Sequence, residues 1–472
     1  MAQNRRSCLT DYYRCPDELV PQVTPSELPT KQGFFGLGSD TLCYGRCSSG
    51  SVRYLNGIAP PDALADLAFR DGVAHLPFDL NEVIDNLRLE RYSIAGSKQR
   101  PITAHATLRN IYYSVRPYLS DPVRGIIKRI VLHDWRNIRF PRWPVDRTVE
   151  DIFNAILLLV LKQSLVPRIP FIWFWPDGAT GCISMTHDVE TPQGRNACEQ
   201  LMDIDDSFGI KSSFGVVPEE RYAVDRAFLE NILARGFELN VQDLNHDGHL
   251  FDDREKFERR AKRINHYAAE FQAEGFRAGV LYRNLDWLGD LKISYDMSVP
   301  NVAHLDPQRG GCCTVMPYFI GDILELPLTT IQDYTLFDVL RQNSTELWKT
   351  QTEMILQKNG LATFLVHPDY LRTPAEHALY RDLLVYLRSV ARERNAWIAL
   401  PRQVNQWCRQ RNNMRLVRNG DQWSIEGPGS ERARLAYARI VADKVVYEIQ
   451  PTLAERNISA VPLAMAVVAT GD

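Results

Sequence analysis

Between about residues 171 and 400 the chain alternates apolar runs with amphipathic ones, and this alternation limits the fold more than any other feature. Residues 182–185, 212–217, 237–241 and 363–366 read as strands, short and rich in apolar or β-branched side chains. Residues 197–208, 226–235, 251–274 and 379–395 carry helical spacing, and 396–400 reads as a closing strand. Strands that alternate with helices predict an α/β fold whose parallel sheet is covered by the helices, either open or curled into a barrel. A barrel of this kind sets its functional side chains at the C-terminal ends of its strands.

At 472 residues the chain exceeds what one core holds, so roughly two to four domains are expected. Four stretches are distinguished: a mixed N-terminal region of unknown role over 1–95, a helical connector over 96–170, the barrel over 171–405, and a small β module with a tail over 410–472. In the first, Asp79 has the position of a helix cap. In the second, residues 103–133 show helical spacing broken by Pro117 and Pro122. The net charge of -3 offers a nucleic acid nothing to bind, so no such partner is expected. The nine cysteines are scattered without zinc-knuckle spacing, which suits a reduced compartment. The polar start has no signal-peptide pattern, so the expected location is the cytoplasm. The greasy stretch 152–166 is interrupted by Asn154, Lys162, Gln163 and Ser164, too polar and short for the ~20 apolar residues of a span. With the aromatic run 171–175 beside it, a buried helix and core strand is the plainer reading, and peripheral contact with the inner membrane face is the alternative. The oligomeric state is not legible.

The chemistry is concentrated in four fragments. Thr186-His187-Asp188-Val189-Glu190 follows an apolar run, and a period of two sets Asp188 and Glu190 on one face. Asn245-His246-Asp247-Gly248-His249 supplies imidazoles, Phe276-Arg277 a guanidinium, and Leu365-Val366-His367-Pro368 another imidazole. Carboxylates and imidazoles at successive strand ends are the parts of an acid–base site, one carboxylate taking a proton while the other holds a cation.

These fragments carry a resemblance over roughly half the chain. From about Trp173 to Leu400 it resembles the polysaccharide deacetylase family, the NodB-homology domain of carbohydrate esterase family 4. The resemblance implies a distorted (β/α)7-type barrel that removes acetyl groups from N-acetylated sugars with a divalent metal, usually zinc. Asp188-Val189-Glu190 matches the first motif, with Asp188 implied as the base and Glu190 as a metal carboxylate. Residues 236–246 align with a His-x-x-x-His motif in which His246 keeps the second histidine and Gln242 replaces the first. A glutamine oxygen is a weaker zinc ligand than imidazole, so His249 is a candidate substitute and the metal's presence stays open. Arg277 keeps the arginine of an Arg-x-Pro motif and is implied to orient the base. Residues 294–298 approximate the fourth motif, which makes Tyr295 and Asp296 candidates for lining the substrate groove. Tyr282 is a further candidate for stacking on sugar, with a backbone N–H near it as oxyanion donor. His367 in Leu-x-His-Pro is implied as the acid that protonates the leaving amine. The reading is therefore a hydrolase of carbon–nitrogen bonds acting on a glycan or amino-sugar intermediate. Two alternatives stay open: a metal-independent amidohydrolase of small amides on the same fold, and a glycan-binding barrel without catalysis.

Overall fold

The computed structural model describes residues 7–55, 59–95, 132, 134–163 and 166–451. The N-terminal region contains helix α1 (Cys8–Tyr13) and strands β1 (Gln22–Val23), β2 (Gly33–Gly36), β3 (Leu42–Gly45), β4 (Ala68–Arg70) and β5 (Val73–His75). β2 and β3 form a hairpin, and β5 lies between β1 and β4 in a small sheet. Asp79 caps α2 (Leu80–Arg88) as the sequence predicts, its carboxylate accepting the Glu82 N–H at 3.1 Å. α3 (Arg91–Ala95) ends this region. The helical pieces expected over 103–133 lie, apart from Leu132, outside the described residues, as does the tail from 452.

The greasy segment is helix α4 (Thr148–Gln163). Val149, Ile152, Phe153, Ile156, Leu157, Val160 and Leu161 form its buried stripe, spaced three and four apart. Each such side chain contributes roughly 1.5–3 kcal/mol by leaving water. The aromatic run 171–175 is buried as well. Among the described residues, no helix is long and apolar enough to cross a membrane.

The following elements are β6 (Ile169–Ile172), β7 (Cys182–Val189), α5 (Pro192–Ser207), β8 (Ser213–Val216), α6 (Arg226–Ala234), β9 (Glu238–Gln242), α7 (Arg254–Glu270), β10 (Gly275–Arg277), β11 (Tyr295–Asp296), β12 (Tyr318–Ile320), β13 (Ile323–Glu325), α8 (Glu346–Leu356), β14 (Leu361–Leu365), α9 (Pro374–Arg394), β15 (Trp397–Ile398) and α10 (Pro401–Asn412). Side-chain caps start the helices, Thr191, Asp225 and Asp253 before α5, α6 and α7 and a Thr373/Glu376 capping box before α9; α6 begins at the expected residue 226, whereas α5 and α9 begin before the expected 197 and 379 and α7 after the expected 251. The strands form one mixed sheet in the order β12-β13-β11-β10-β9-β8-β7-β14, with β15 also on β7. Every pairing is parallel except β12 with β13. Thr329 and Thr330, beyond β13, reach β14: the Thr330 N–H donates to the Thr363 carbonyl at 3.3 Å, and the Thr329 hydroxyl to the Leu361 carbonyl at 2.7 Å. The sheet is thus curled, and its two ends meet through this irregular seam.

At the C-terminus β16 (Arg415–Asn419) pairs with β17 (Gln422–Glu426), and β18 (Leu435–Val441) with β19 (Lys444–Ile449). β6 pairs with β18, antiparallel, from Leu435 opposite Ile172 to Ala438 opposite Ile169. The strand just before the barrel therefore belongs to a C-terminal sheet, and α4 packs on that sheet.

Candidate active site

β7 shows its two faces in turn, as a strand must. Thr186 and Asp188 point into the curl, where Arg277 at the end of β10 meets both. Arg277 Nη1 donates to Asp188 Oδ1 at 2.9 Å and to Thr186 Oγ1 at 3.0 Å, while Nε donates to the Met297 carbonyl at 3.0 Å. Both members of the Arg277–Asp188 pair are buried. Each offsets the desolvation of the other, so removing one would leave an uncompensated charge. His187 takes the opposite face, its ring between the Val366 carbonyl at 2.7 Å and Asp205 at 3.0 Å.

Glu190 stands one residue beyond β7. Its backbone N–H donates to Asp369 Oδ2 at 3.0 Å, which ties the turn after β7 to the turn after β14. Its Oε1 lies 3.0 Å from His246 Nε2, 3.5 Å from Gln242 Nε2 and 3.7 Å from His367 Nε2. The His246 contact is one of charge rather than an aligned hydrogen bond, and both ring nitrogens of His246 and Gln242 Oε1 are buried without a hydrogen-bond partner. Burial pulls the His246 pKa down, but Glu190 and then Asp243 outweigh it, and the net direction is up.

His367 follows β14 and is gripped by Asp333. The Asp333 carboxylate accepts the His367 backbone N–H at 2.7 Å and faces Nδ1 at 2.7 Å, so Nε2 points toward Glu190. Burial lowers the His367 pKa, yet Asp333, then Glu190 and Asp188, raise it to about 10. The imidazole is accordingly a proton donor across the neutral range. Around this mouth Asp243, His246, Val280 and Leu281 have φ of 53, 52, 58 and 53°, a left-handed backbone that costs about 1–3 kcal/mol per residue and lasts only where neighbours hold it.

The sequence-derived residues thus divide into two groups. Asp188, Arg277, Glu190, Gln242, His246 and His367 come together at the strand ends. The others are placed elsewhere. His249 is engaged on its own loop, its Nδ1 2.7 Å from Asp252. Tyr295, the first residue of β11, is fully buried at the opposite end of the curl, its hydroxyl on Glu238 and, at 2.7 Å, on Asn240. Asp296 faces the other side of the strand, buried against Ser298 at 2.7 Å and in register with Glu325. Burial and then the charge of Asp296 push the Glu325 pKa well up. Neither Tyr295 nor Asp296 lines a groove: a two-residue strand lets one sit at the bottom of the curl and the other behind the sheet. Tyr282 is half-buried, and its N–H already donates to the Gly279 carbonyl at 3.2 Å, so it is not a spare oxyanion donor. Sequence reasoning missed Asp333 and Asp369. Asp369 lay in plain view two residues after His367, whereas Asp333, at the start of the short helical segment 333–339, gave no local signal.

The donor set does not fit a zinc centre. Glu190 and His246 are ordinary ligands, the third position is a neutral amide, and His249 is held away by Asp252. Among the described residues no three His, Cys, Asp or Glu side chains group closely enough to hold a metal ion. The partnerless Gln242 Oε1 suits a water or a substrate N–H.

No family model matches the chain, and no curated protein matches it. Solved structures do resemble it over about half its length. A protein from Mycobacterium smegmatis assigned to the polysaccharide deacetylases is 18% identical, with a TM-score of 0.41, over 50% of this chain and 93% of its own. An allantoinase (Puue) is 11% identical at a TM-score of 0.39, over 49% of this chain and 91% of its own. The peptidoglycan deacetylase PdaC of Bacillus subtilis is 15% identical at 0.32, over 49% and 93%. Likenesses this distant leave the chemistry to be judged from the chain's own side chains.

Proposed function

We propose that the chain is a hydrolase of amide carbon–nitrogen bonds, acting on an N-acylated amino sugar or glycan intermediate. The observation that carries the reading is the meeting, at the ends of β7, β9, β10 and β14, of a carboxylate braced by arginine with an imidazole braced by a second carboxylate. Asp188 receives the proton of the attacking water. Arg277 orients it and balances its charge. His367, protonated and aimed by Asp333, delivers a proton to the departing nitrogen, without which an amine is a poor leaving group. Glu190, His246 and Gln242 form the polar wall between them and orient the amide. The sugar and acyl preference comes from the sequence resemblance.

Gln242 favours a second reading, in which the same pair cleaves small amides or ureides without a metal. Purified protein would be offered N-acetylated chito-oligosaccharides, N-acetylglucosamine and small cyclic amides, with and without a chelator, following acetate or amine release. Acetate release from the sugars, abolished by Asp188→Asn, supports the deacetylase reading. Turnover of the small amides alone, indifferent to chelator, supports the second. Binding of the oligosaccharides without turnover of any compound would overturn both.

A further inference from the structure

The turn after β10 has a backbone that its sequence does not favour. Val280 and Leu281 are consecutive non-glycine residues at φ 58 and 53°, and a β-branched side chain tolerates that region worst. The turn lies directly on the site. Gly279 comes so close that an added Cβ would stand 2.4 Å from Asp243 Oδ2 and 3.0 Å from the His246 ring. Arg277, two residues earlier, braces Asp188.

What holds the turn is Arg283. Its Nη1 donates to the Leu281 carbonyl at 2.8 Å, and its backbone N–H to Gln308 at 2.9 Å. The guanidinium is buried, and its partner comes from the far end of the chain. Glu90 receives Nε at 2.6 Å on one oxygen and Nη2 on the other, a two-point grip. Glu90 is itself buried at φ 55°, and its Oε1 also accepts the Gly311 N–H at 2.5 Å. Gly310 leaves the room: a Cβ there would lie 2.4 Å from Glu90 Oε1. Tyr92 adds a bond to the Gly311 carbonyl at 2.6 Å. An anchor fixed at three points is built to hold a strained segment in place.

We infer that Glu90, in the N-terminal region, is a positioning residue for the candidate site: through Arg283 it holds the left-handed turn Gly279–Leu281 against Asp243 and His246. The N-terminal region is then a working part of the barrel's mouth. The inference rests on the reading of that mouth as the hydrolytic centre.

The test is Glu90→Gln in the full chain, with Arg283→Lys as a second variant that keeps the charge and loses the fork. Arg46→Gln, which breaks the Arg46–Glu82 pair within the N-terminal region, is the control. Two readouts are taken: steady-state kinetics on whichever amide the wild type cleaves, and amide hydrogen exchange. Both variants should lose about tenfold or more in kcat, with KM within about twofold, since small displacements at a reacting centre cost this much. Exchange should quicken over residues 279–283 and stay unchanged along β7, and the control should match wild type in both. Unchanged exchange over 279–283 overturns the inference, and so does exchange that quickens equally everywhere, the mark of a merely structural pair. If the wild type cleaves no amide, the hydrolytic reading fails, and the exchange pattern still decides whether Glu90 holds the turn.

Discussion

Asp333→Asn should move the alkaline limit of activity by several pH units. Asparagine keeps the size of the side chain and an oxygen for the His367 N–H, but removes the charge that faces Nδ1 at 2.7 Å. In the native site burial lowers the His367 pKa while Asp333, the largest opposing influence, and the charges of Glu190 and Asp188 bring it to about 10. Without Asp333, burial works against a smaller opposing charge, and the pKa should fall to the ordinary 6.5 or below. At pH 8 the native acid is almost wholly protonated, whereas a group with a pKa of 6.5 is about 3% protonated, so kcat should drop about 30-fold. At pH 6 most of the imidazole is still protonated, and the loss should be much smaller. The linkage has a definite sign. A pKa raised on folding stabilises the protein fully below pH 6.5, and that stabilisation is lost as the pH rises through about 10. The pH profile of kcat on the cleaved amide, with the His367 ring titrated by NMR, reads this directly. An alkaline limb left near pH 10 in the variant would show that Asp333 does not set the acid, and the proposed division of labour would fall with it.

Three further outcomes follow from the placement of side chains. Asp188→Asn should lower kcat about 10²–10⁴-fold, as loss of a general base does, and thermal melting will show whether the fold survives beside Arg277. His249→Ala should leave kcat within about twofold, because its ring is spoken for by Asp252 on a surface loop; a collapse of activity or of bound zinc would return it to the site. Tyr295→Phe should destabilise the chain by about 1–3 kcal/mol in denaturant melts, since it strips a donor from buried Glu238, and it should not change KM.

The alternation of apolar runs made the barrel's order legible, because short strands and capped helices are local matters. Thr186 to Glu190 and the His367-Pro368 pair were legible for the same reason: each is a few residues at a strand end. Length hid the rest. β10 and β11 have three and two residues, too few for a period to declare which way Tyr295 and Asp296 point. Asp333 is joined to His367 by folding alone, across α8 and the whole of β14. The N-terminal region looked devoid of chemistry because Glu90 acts on the site only through Arg283, a partner that no motif connects to it. Gln242 stands beside Glu190 and His246 in the structure, and the neighbouring loop does not turn His249 inward to join them.

The edge shared by β6 and β18 bears on how the molecule comes into being. During synthesis Ile169–Ile172 emerges early, flanked by greasy α4 and the tryptophans that follow, while its antiparallel mate is encoded after the last barrel helix. Until that mate arrives, an apolar ribbon with open hydrogen-bonding groups stands beside the nascent barrel, the kind of exposure that invites wrong pairing. A polypeptide halted between the end of α10 and Leu435 would carry the complete curled sheet on an unfinished, adhesive flank.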